Sequence, residues 1–342
     1  MLTSPTILIT GGCGFLGQHL IERLLSGGAS QPAIHVLDMR SSAAKIFAVG
    51  DHPQVRVTLG VDVRQPQTLT PHFEGVDAVI HLAGLVSFAY RDRHDLMDIN
   101  VAGTANVLEA ARLGGVRRFI HVSSVAALGY GDDPDKPVDE DFHFDWSIAR
   151  RKHKYYMLSK HEADLAVERY TQKGGRAVVV YPGLMFGPGD LANSARLIEA
   201  VRRGKIPFNM PGGTNIVDVR DVARAIAMIL DQGVADGRFL LAGDNLPFHR
   251  VNSVIAQAVG AVPPRRTLPR RAGELMTPIL LWYERLSARK PALTADNLDS
   301  ALRFRYFDNT NAKRRLGWQP QITFEQTIRD TVAWIQANGQ SA

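Results

Sequence analysis

Thr10-Gly11-Gly12-Cys13-Gly14-Phe15-Leu16-Gly17 follows the short apolar run Thr6-Ile7-Leu8-Ile9 and precedes a helix-like segment from Gln18 to Ser26. A strand that ends in spaced glycines and becomes a helix presents backbone N–H groups to a diphosphate at the positive end of the helix dipole. Two spacings fit: G-x-G-x-x-G through Gly12, Gly14 and Gly17, and T-G-x-x-G-x-x-G through Gly11, Gly14 and Gly17. Glycines also serve ordinary turns and caps. The weight therefore falls on what surrounds this stretch.

Downstream, Ala33-Ile34-His35-Val36-Leu37 reads as a second buried strand ending at Asp38. A carboxylate about 20 positions beyond the glycines accepts hydrogen bonds from adenosine ribose hydroxyls and repels a 2′-phosphate, so Asp38 favours NAD. Arg40, two residues on, offers that phosphate a guanidinium and keeps NADP open. Val55-Arg56-Val57-Thr58-Leu59 reads as a third strand leading to Asp62, which faces the adenine edge. Asp77 to Gly84 is a fourth strand running into small residues that admit a cofactor. A helix over Asn100 to Arg112 and a fifth strand, Phe119-Ile120-His121-Val122, lead to Ser123-Ser124, and Arg238 to Ala242 reads as a late strand returning to the main sheet. This alternation predicts an α/β fold: a Rossmann-type doubly wound parallel sheet with ligands at the carboxyl ends of its strands. The expected division is a dinucleotide-binding domain over 1–181 with a returning part near 211–242. A smaller C-terminal substrate domain is expected over 182–210 and 243–342.

Tyr156-Met157-Leu158-Ser159-Lys160 sets a phenol and an ammonium four residues apart, on one face of a helix. A nearby cation favours phenolate, so Lys160, helped by a positively charged nicotinamide, is expected to lower the Tyr156 pKa and make the phenol a general acid/base. Ser124, at a strand end, is placed to hydrogen-bond a substrate oxygen. Each pattern alone is ordinary surface or cap chemistry. Together, behind a dinucleotide loop, they form a set.

These residues resemble the extended short-chain dehydrogenase/reductases, also described as the NAD-dependent epimerase/dehydratase family. The likeness runs through His81-Leu82-Ala83-Gly84, Asn100 with Gly103-Thr104, Ser123-Ser124, and Tyr156 with Lys160. It continues in Pro182-Gly183-Leu184-Met185-Phe186-Gly187, Val217 to Ala223 and Leu316-Gly317-Trp318-Gln319-Pro320. The resemblance implies that Ser124, Tyr156 and Lys160 are catalytic, that Lys160 also binds the nicotinamide ribose, and that Pro182 sits beside the nicotinamide. Asn100 takes a supporting role. The implied cofactor site comprises Gly11, Gly14, Phe15, Leu16, Gly17, Asp38, Asp62, Val63, Leu82, Ala83, Gly84, Asn100, Tyr156, Lys160 and Pro182. The segment from Tyr181 to Gly187 lacks an asparagine common in nucleotide-sugar enzymes and looks more like the 3β-hydroxysteroid dehydrogenase and dihydroflavonol reductase branch. Tyr181 replaces the arginine usual before that proline. The expected reaction is NAD(P)-dependent hydride transfer at a secondary alcohol or ketone of a largely apolar, steroid- or flavonoid-like substrate. Its alternatives are a nucleotide-sugar epimerase or dehydratase, and a noncatalytic NAD-sensing protein.

The chain has 342 residues, 45% hydrophobic and 22% charged, with one cysteine, Cys13, and a net charge of +6. No basic leader with an apolar core and no membrane-length apolar run is evident, and a single cysteine makes no intrachain disulfide. A cytoplasmic protein is expected, and no metal-ligand or nucleic-acid motif stands out. Residues 243–342 hold 14 Lys+Arg against 8 Asp+Glu, whereas the rest is balanced. Within that third, Leu275, Met276, Ile279, Leu280, Trp282, Tyr283 and Leu286 recur at helical spacing, interrupted by Pro278. Arg265, Arg266, Arg270 and Arg271 precede them, and Arg285, Arg289 and Lys290 follow. Such a stripe is ordinarily core; the other reading is weak contact of 275–286 with an anionic membrane surface, leaving the protein peripheral to it. The basic run Arg150-Arg151-Lys152-His153-Lys154 reads as a solvated helix start, or as a seat for an anionic substrate tail. Val86, Ser87, Phe88 and Tyr90 are candidate pocket residues, and the family likeness makes a homodimer compatible.

Overall fold

A computed structural model describes residues 5–27, 31–41, 51–191, 193–287, 291 and 293–338. Its centre is a seven-stranded parallel sheet in the order β3-β2-β1-β4-β5-β6-β9. The strands are β1 (Thr6–Thr10), β2 (Ala33–Asp38), β3 (Val55–Leu59), β4 (Ala78–His81), β5 (Arg118–Val122), β6 (Ala177–Pro182) and β9 (Gly237–Leu241). They are short and rich in Val, Ile and Leu, as strands covered on both faces must be. Alternation splits their side chains between two cores. Ile7, Ile9, Val178 and Val180 meet helices α1 (Phe15–Leu25) and α8 (Val219–Asp231) on one face. Leu8, Val179 and Tyr181 meet α4 (Gly103–Leu113) and α6 (Tyr155–Gln172) on the other. The late strand takes its expected place, with Val178 opposite Gly237 through Pro182 opposite Leu241.

Shorter helices α2 (Pro66–Leu69), α3 (Arg93–Leu96) and α5 (Trp146–Arg151) lie in the crossovers. The helix expected from Asn100 begins instead with a π-helical turn, Met97–Ala102, that runs into α4.

A second sheet gathers β7 (Leu184–Phe186), β8 (Gly213–Asp218), β10 (Asp244–Pro247) and β11 (Phe304–Arg305) around β8. Its core is built by Phe186, Ile198, Ile216, Val254, Ile255 and Ile328, which brings in α7 (Ser194–Arg202), α9 (Phe248–Val259) and α13 (Phe324–Ala337). Within 211–242, then, β8 pairs in the second sheet while β9 pairs in the first. Helices α10 (Arg270–Leu286), α11 (Ala295–Ala301) and α12 (Thr310–Leu316) complete the chain. Trp318 is fully buried and donates its indole N–H to the Asp221 carbonyl at 3.0 Å, tying the C-terminal motif to α8.

The 275–286 stripe is where the core reading fails. It forms a continuous helix through Pro278, but Leu275, Ile279, Trp282 and Leu286 face solvent at 66–72% exposure. The buried side of α10 is made instead by Gly273 and Glu284. A Cβ at Gly273 would stand 2.4 Å from a Leu302 methyl, so this face packs too closely for a larger residue. Arg289 and Lys290 lie outside the described residues.

Candidate active site

In the strand order, β1 and β4 are neighbours whose chain connections leave in opposite directions, and the crevice above their carboxyl ends is the ligand position of such sheets. Gly11 is there at φ +73°, and a Cβ on it would lie 2.7 Å from the Ala83 backbone. A Cβ on Gly17 would meet the Gly12 carbonyl oxygen at 2.3 Å. These two glycines let the loop close against itself and against the Leu82-Ala83-Gly84 segment. Helix α1 then begins with no capping side chain and no acidic residue in its first turn. Its first N–H groups, including those of Phe15 and Leu16, are the donors an anion would satisfy. Asp38 closes the other side: one carboxylate oxygen accepts from Cys13 N at 3.0 Å, the other from Met39 N at 2.8 Å. The residues present thus fit a dinucleotide.

Asp62 is placed beyond β3, but its carboxylate is gripped by Arg64 at 2.7 Å, with further bonds to that guanidinium and to Arg64 N. Val63 gives its carbonyl to Asn106 at 2.9 Å. Asn100 bridges two parts of the site. Its oxygen accepts from Leu85 N at 2.7 Å, and its amide donates to the Leu85 carbonyl at 3.0 Å and to the Ser159 hydroxyl at 2.9 Å. The loop after β4 is thereby pinned to α6 one residue from Lys160. Pro182 is buried at the end of β6. Tyr181 before it is buried, and Arg238 on the adjacent strand donates to its phenol at 3.0 Å.

Ser124, Tyr156 and Lys160 come together from the end of β5 and the first turns of α6. Tyr156 and Lys160 are buried at 8% exposure each. The Ser124 hydroxyl accepts from Ala126 N at 3.2 Å and lies near enough to the Tyr156 phenol to favour its ionisation. Lys160 donates to the Val122 carbonyl at 3.1 Å, and burial pulls its ammonium down to about 8. Lys160 is not among the chain's own groups that lower the Tyr156 phenol, and the expectation also invokes the charge of the nicotinamide. Burial pushes the phenol up, and the groups working against that are Ser124 and Arg305. Lys160 commits one of its three N–H donors to the Val122 carbonyl, and a pKa of about 8 leaves it largely a cation at neutral pH.

Arg305 carries no motif and escaped the reading of the sequence. Its guanidinium lies close enough to Tyr130 and Tyr156 to interact with both phenols, and Arg303 beside it stands 5.6 Å from the Tyr130 ring centre. Tyr130 and Tyr156 share one apolar cluster with Leu96, Ala126 and Met157. Phe88, Phe144 and Trp146 pack on that cluster, Phe88 edge-on to Tyr156 at 5.3 Å. The Arg305 side chain is partly exposed, yet its Nε is shut from solvent and makes no hydrogen bond. Burial lowers its pKa against the pull of Asp296, Tyr130, Tyr156 and Asp299. Of the other candidates, Val86 is exposed, Ser87 donates to Asp92 at 2.6 Å, and Tyr90 N donates to Glu284 at 3.1 Å.

The basic run before Tyr156 divides: Arg150 and Arg151 are exposed, as expected of a solvated helix start, whereas Lys152 and Lys154 are taken up by carboxylates. Lys154 is fully buried and paired with Asp296 at 2.7 Å and Asp299 at 3.0 Å, and Lys152 reaches Asp299 at 2.7 Å. Arg150 faces Glu162 at 3.9 Å, and Arg151 donates to Ser147 at 2.7 Å. The run fastens the start of α6 to α11.

With the loop, the crevice and the Ser-Tyr-Lys set in place, the class is that of NAD-dependent enzymes. The profile of the NAD dependent epimerase/dehydratase family matches residues 7–242, and the chain belongs to that family. It is 28% identical to sterol demethylase protein B of Methylococcus capsulatus, over 98% of this chain and 99% of that protein. It is also 28% identical to bovine sterol-4-alpha-carboxylate 3-dehydrogenase, decarboxylating, over 95% of this chain and 90% of that one. The crystal structure of gox2253 superposes with a TM-score of 0.83 at 28% identity, covering 99% of this chain and 100% of that one. The protein is an enzyme, and its cofactor is NAD.

Proposed function

We propose that this enzyme transfers a hydride between NAD(H) and a secondary alcohol or ketone on a largely apolar substrate that also bears an anionic group. The observation that carries the reading is Tyr156, with Ser124 in reach and Lys160 one turn away, set in a shell of Leu96, Tyr130, Met157, Phe88, Phe144 and Trp146. When bound, NAD supplies the hydride acceptor or donor. Tyr156 exchanges the hydroxyl proton, Ser124 orients the oxygen, and Lys160 holds a positive charge beneath them. The aromatic shell excludes water from the reacting carbon. Arg305, a guanidinium beside this shell whose Nε has no hydrogen-bond partner among the described residues, seats a carboxylate. The bovine relative's name, a sterol carboxylate dehydrogenase, points to the same pairing of apolar body and acid.

Nicotinamide absorbance tests this with NAD and NADP separately, against 3β-hydroxysteroids, 3β-hydroxysteroid-4-carboxylates and nucleotide sugars, with products identified by mass spectrometry. Net reduction of NAD by the steroid alcohols is the expected result. Sugar conversion without net reduction would replace the reading by an epimerase or dehydratase. Arg305→Met should raise KM for the carboxylates about tenfold or more, the weight of a charge-assisted hydrogen bond. KM for the neutral steroids should not change, while loss of the charge beside Tyr156 should lower kcat for both classes alike. An equal effect on KM for both classes removes the anion seat while leaving the hydride transfer standing.

A further inference from the structure

Four residues on α10, Leu275, Ile279, Trp282 and Leu286, stand at i, i+4, i+7 and i+11, so that they form one line along the helix. Each is at least two-thirds exposed or nearly so: 72%, 66%, 66% and 67%. Met276 and Tyr283 widen the stripe on one side, at 43% and 51% exposure. Isolated exposed apolar residues need no explanation, but a contiguous patch of this composition marks an interaction surface. Nor is the exposure a frayed end. Glu284, buried on the opposite side, accepts from Tyr90 N at 3.1 Å and from Ala295 N at 2.6 Å, holding α10 in this orientation.

We propose that α10 docks this protein on an anionic phospholipid surface. The choice of occupant rests on charge. Arg271 and Arg285 are exposed beside the stripe, and Arg265 and Arg266 are exposed just before the helix. Among the described residues, Arg265, Arg266 and Arg271 have no carboxylate partner, whereas Arg270 is taken up by Asp132 and Glu274. Arg285 bonds His153 at 2.7 Å, but like Arg265, Arg266 and Arg271 it is not neutralised by a carboxylate among the described residues. An apolar stripe with such a rim is complementary to acyl chains beneath anionic headgroups, and Trp282 and Tyr283 suit the boundary between them. A second copy of the chain is the poorer occupant. A twofold contact along this stripe would bring the same arginines of two copies against each other. Docking does not depend on the reaction proposed above. It does place the membrane against the helix that holds Tyr90, two residues from the Phe88 ring on Tyr156.

The full-length protein should float with vesicles of phosphatidylcholine and phosphatidylserine, and bind phosphatidylcholine alone much less. Trp282 should report entry as a fluorescence blue shift that Trp282→Phe removes. Ile279→Asp with Trp282→Asp should lose vesicle binding, and Arg265→Glu with Arg266→Glu and Arg271→Glu should weaken it by at least about tenfold, as expected for several cations near a charged surface. Cofactor binding and circular dichroism should be those of the parent chain, which separates lost docking from lost folding. Three results would overturn the proposal: no flotation with either vesicle, flotation that survives the aspartate pair, or a dimer in light scattering that the aspartate pair dissolves. The last would assign the stripe to a second copy.

Discussion

Helices α6 and α10 invert the usual distribution of polarity in opposite directions. Near its start, α6 buries Tyr156, Ser159 and Lys160 behind a fully buried Lys154, whereas α10 turns Leu275, Ile279, Trp282 and Leu286 to solvent. The first inversion is costly within the folded chain and is offset there. Ser159 bonds Asn100, Lys160 bonds the Val122 carbonyl, and Lys154 meets two carboxylates. The second has no offset inside the chain. Water-exposed Leu and Trp cost the fold little, but their arrangement gains nothing until something covers it. Buried polarity therefore gathers around Tyr156 and exposed apolarity along α10, the two places to which our proposals assign chemistry and docking.

The comparison is tested most severely at Tyr156. Tyr156→Phe removes only the hydroxyl, and turnover should fall by about 10²- to 10⁴-fold, the span usual for a positioned acid/base. NAD affinity, measured by calorimetry, should stay close to that of the parent, since the glycine loop and Asp38 are untouched. Retained turnover would make the buried phenol a packing residue. Lys154 is next. Lys154→Met keeps the volume but leaves Asp296 and Asp299 without their shared cation, a change that typically costs about 3–5 kcal/mol in a buried pair. Urea denaturation should show that loss; a change below 1 kcal/mol, the surface-pair scale, would mean water reaches the cluster.

The two helices also differ in how far the sequence discloses them. The glycine loop, β3 and the late strand were legible because glycine punctuation and short apolar runs act locally. Ser124, Tyr156 and Lys160 were legible by spacing and family likeness. Periodicity found the α10 stripe as well, but a helical stripe has the same period whether it faces a core or a solvent. Nothing in 275–286 says that Glu284, a single carboxylate, holds the inner side through two backbone N–H groups. The lysines of the basic run at 150–154 misled for a related reason: their partners, Asp296 and Asp299, lie about 140 residues away. Arg305 was missed because it is one residue on a two-residue strand, placed by pairing with β8. Long-range partners decide burial, and no local window contains them.

The smallest expected effect sharpens the comparison most. Met157 on α6 is 2% exposed and Ile279 on α10 is 66% exposed, so the two carry similar apolar area in opposite surroundings. Met157→Ala should cost about 2–5 kcal/mol in free solution, as truncations in a packed core do. Ile279→Ala should change stability by no more than about 0.5 kcal/mol, because the native and unfolded chains expose that side chain almost alike. A cost near 2 kcal/mol at Ile279 in urea denaturation would show that α10 is covered by its own chain in solution, and the exposed stripe would lose its meaning. If the cost is small, vesicle titration of the same pair should reverse the ranking: Ile279→Ala weakens binding in proportion to the apolar area it removes, and Met157→Ala leaves it unchanged. One helix would then owe its apolar residues to the fold and the other to a surface outside it.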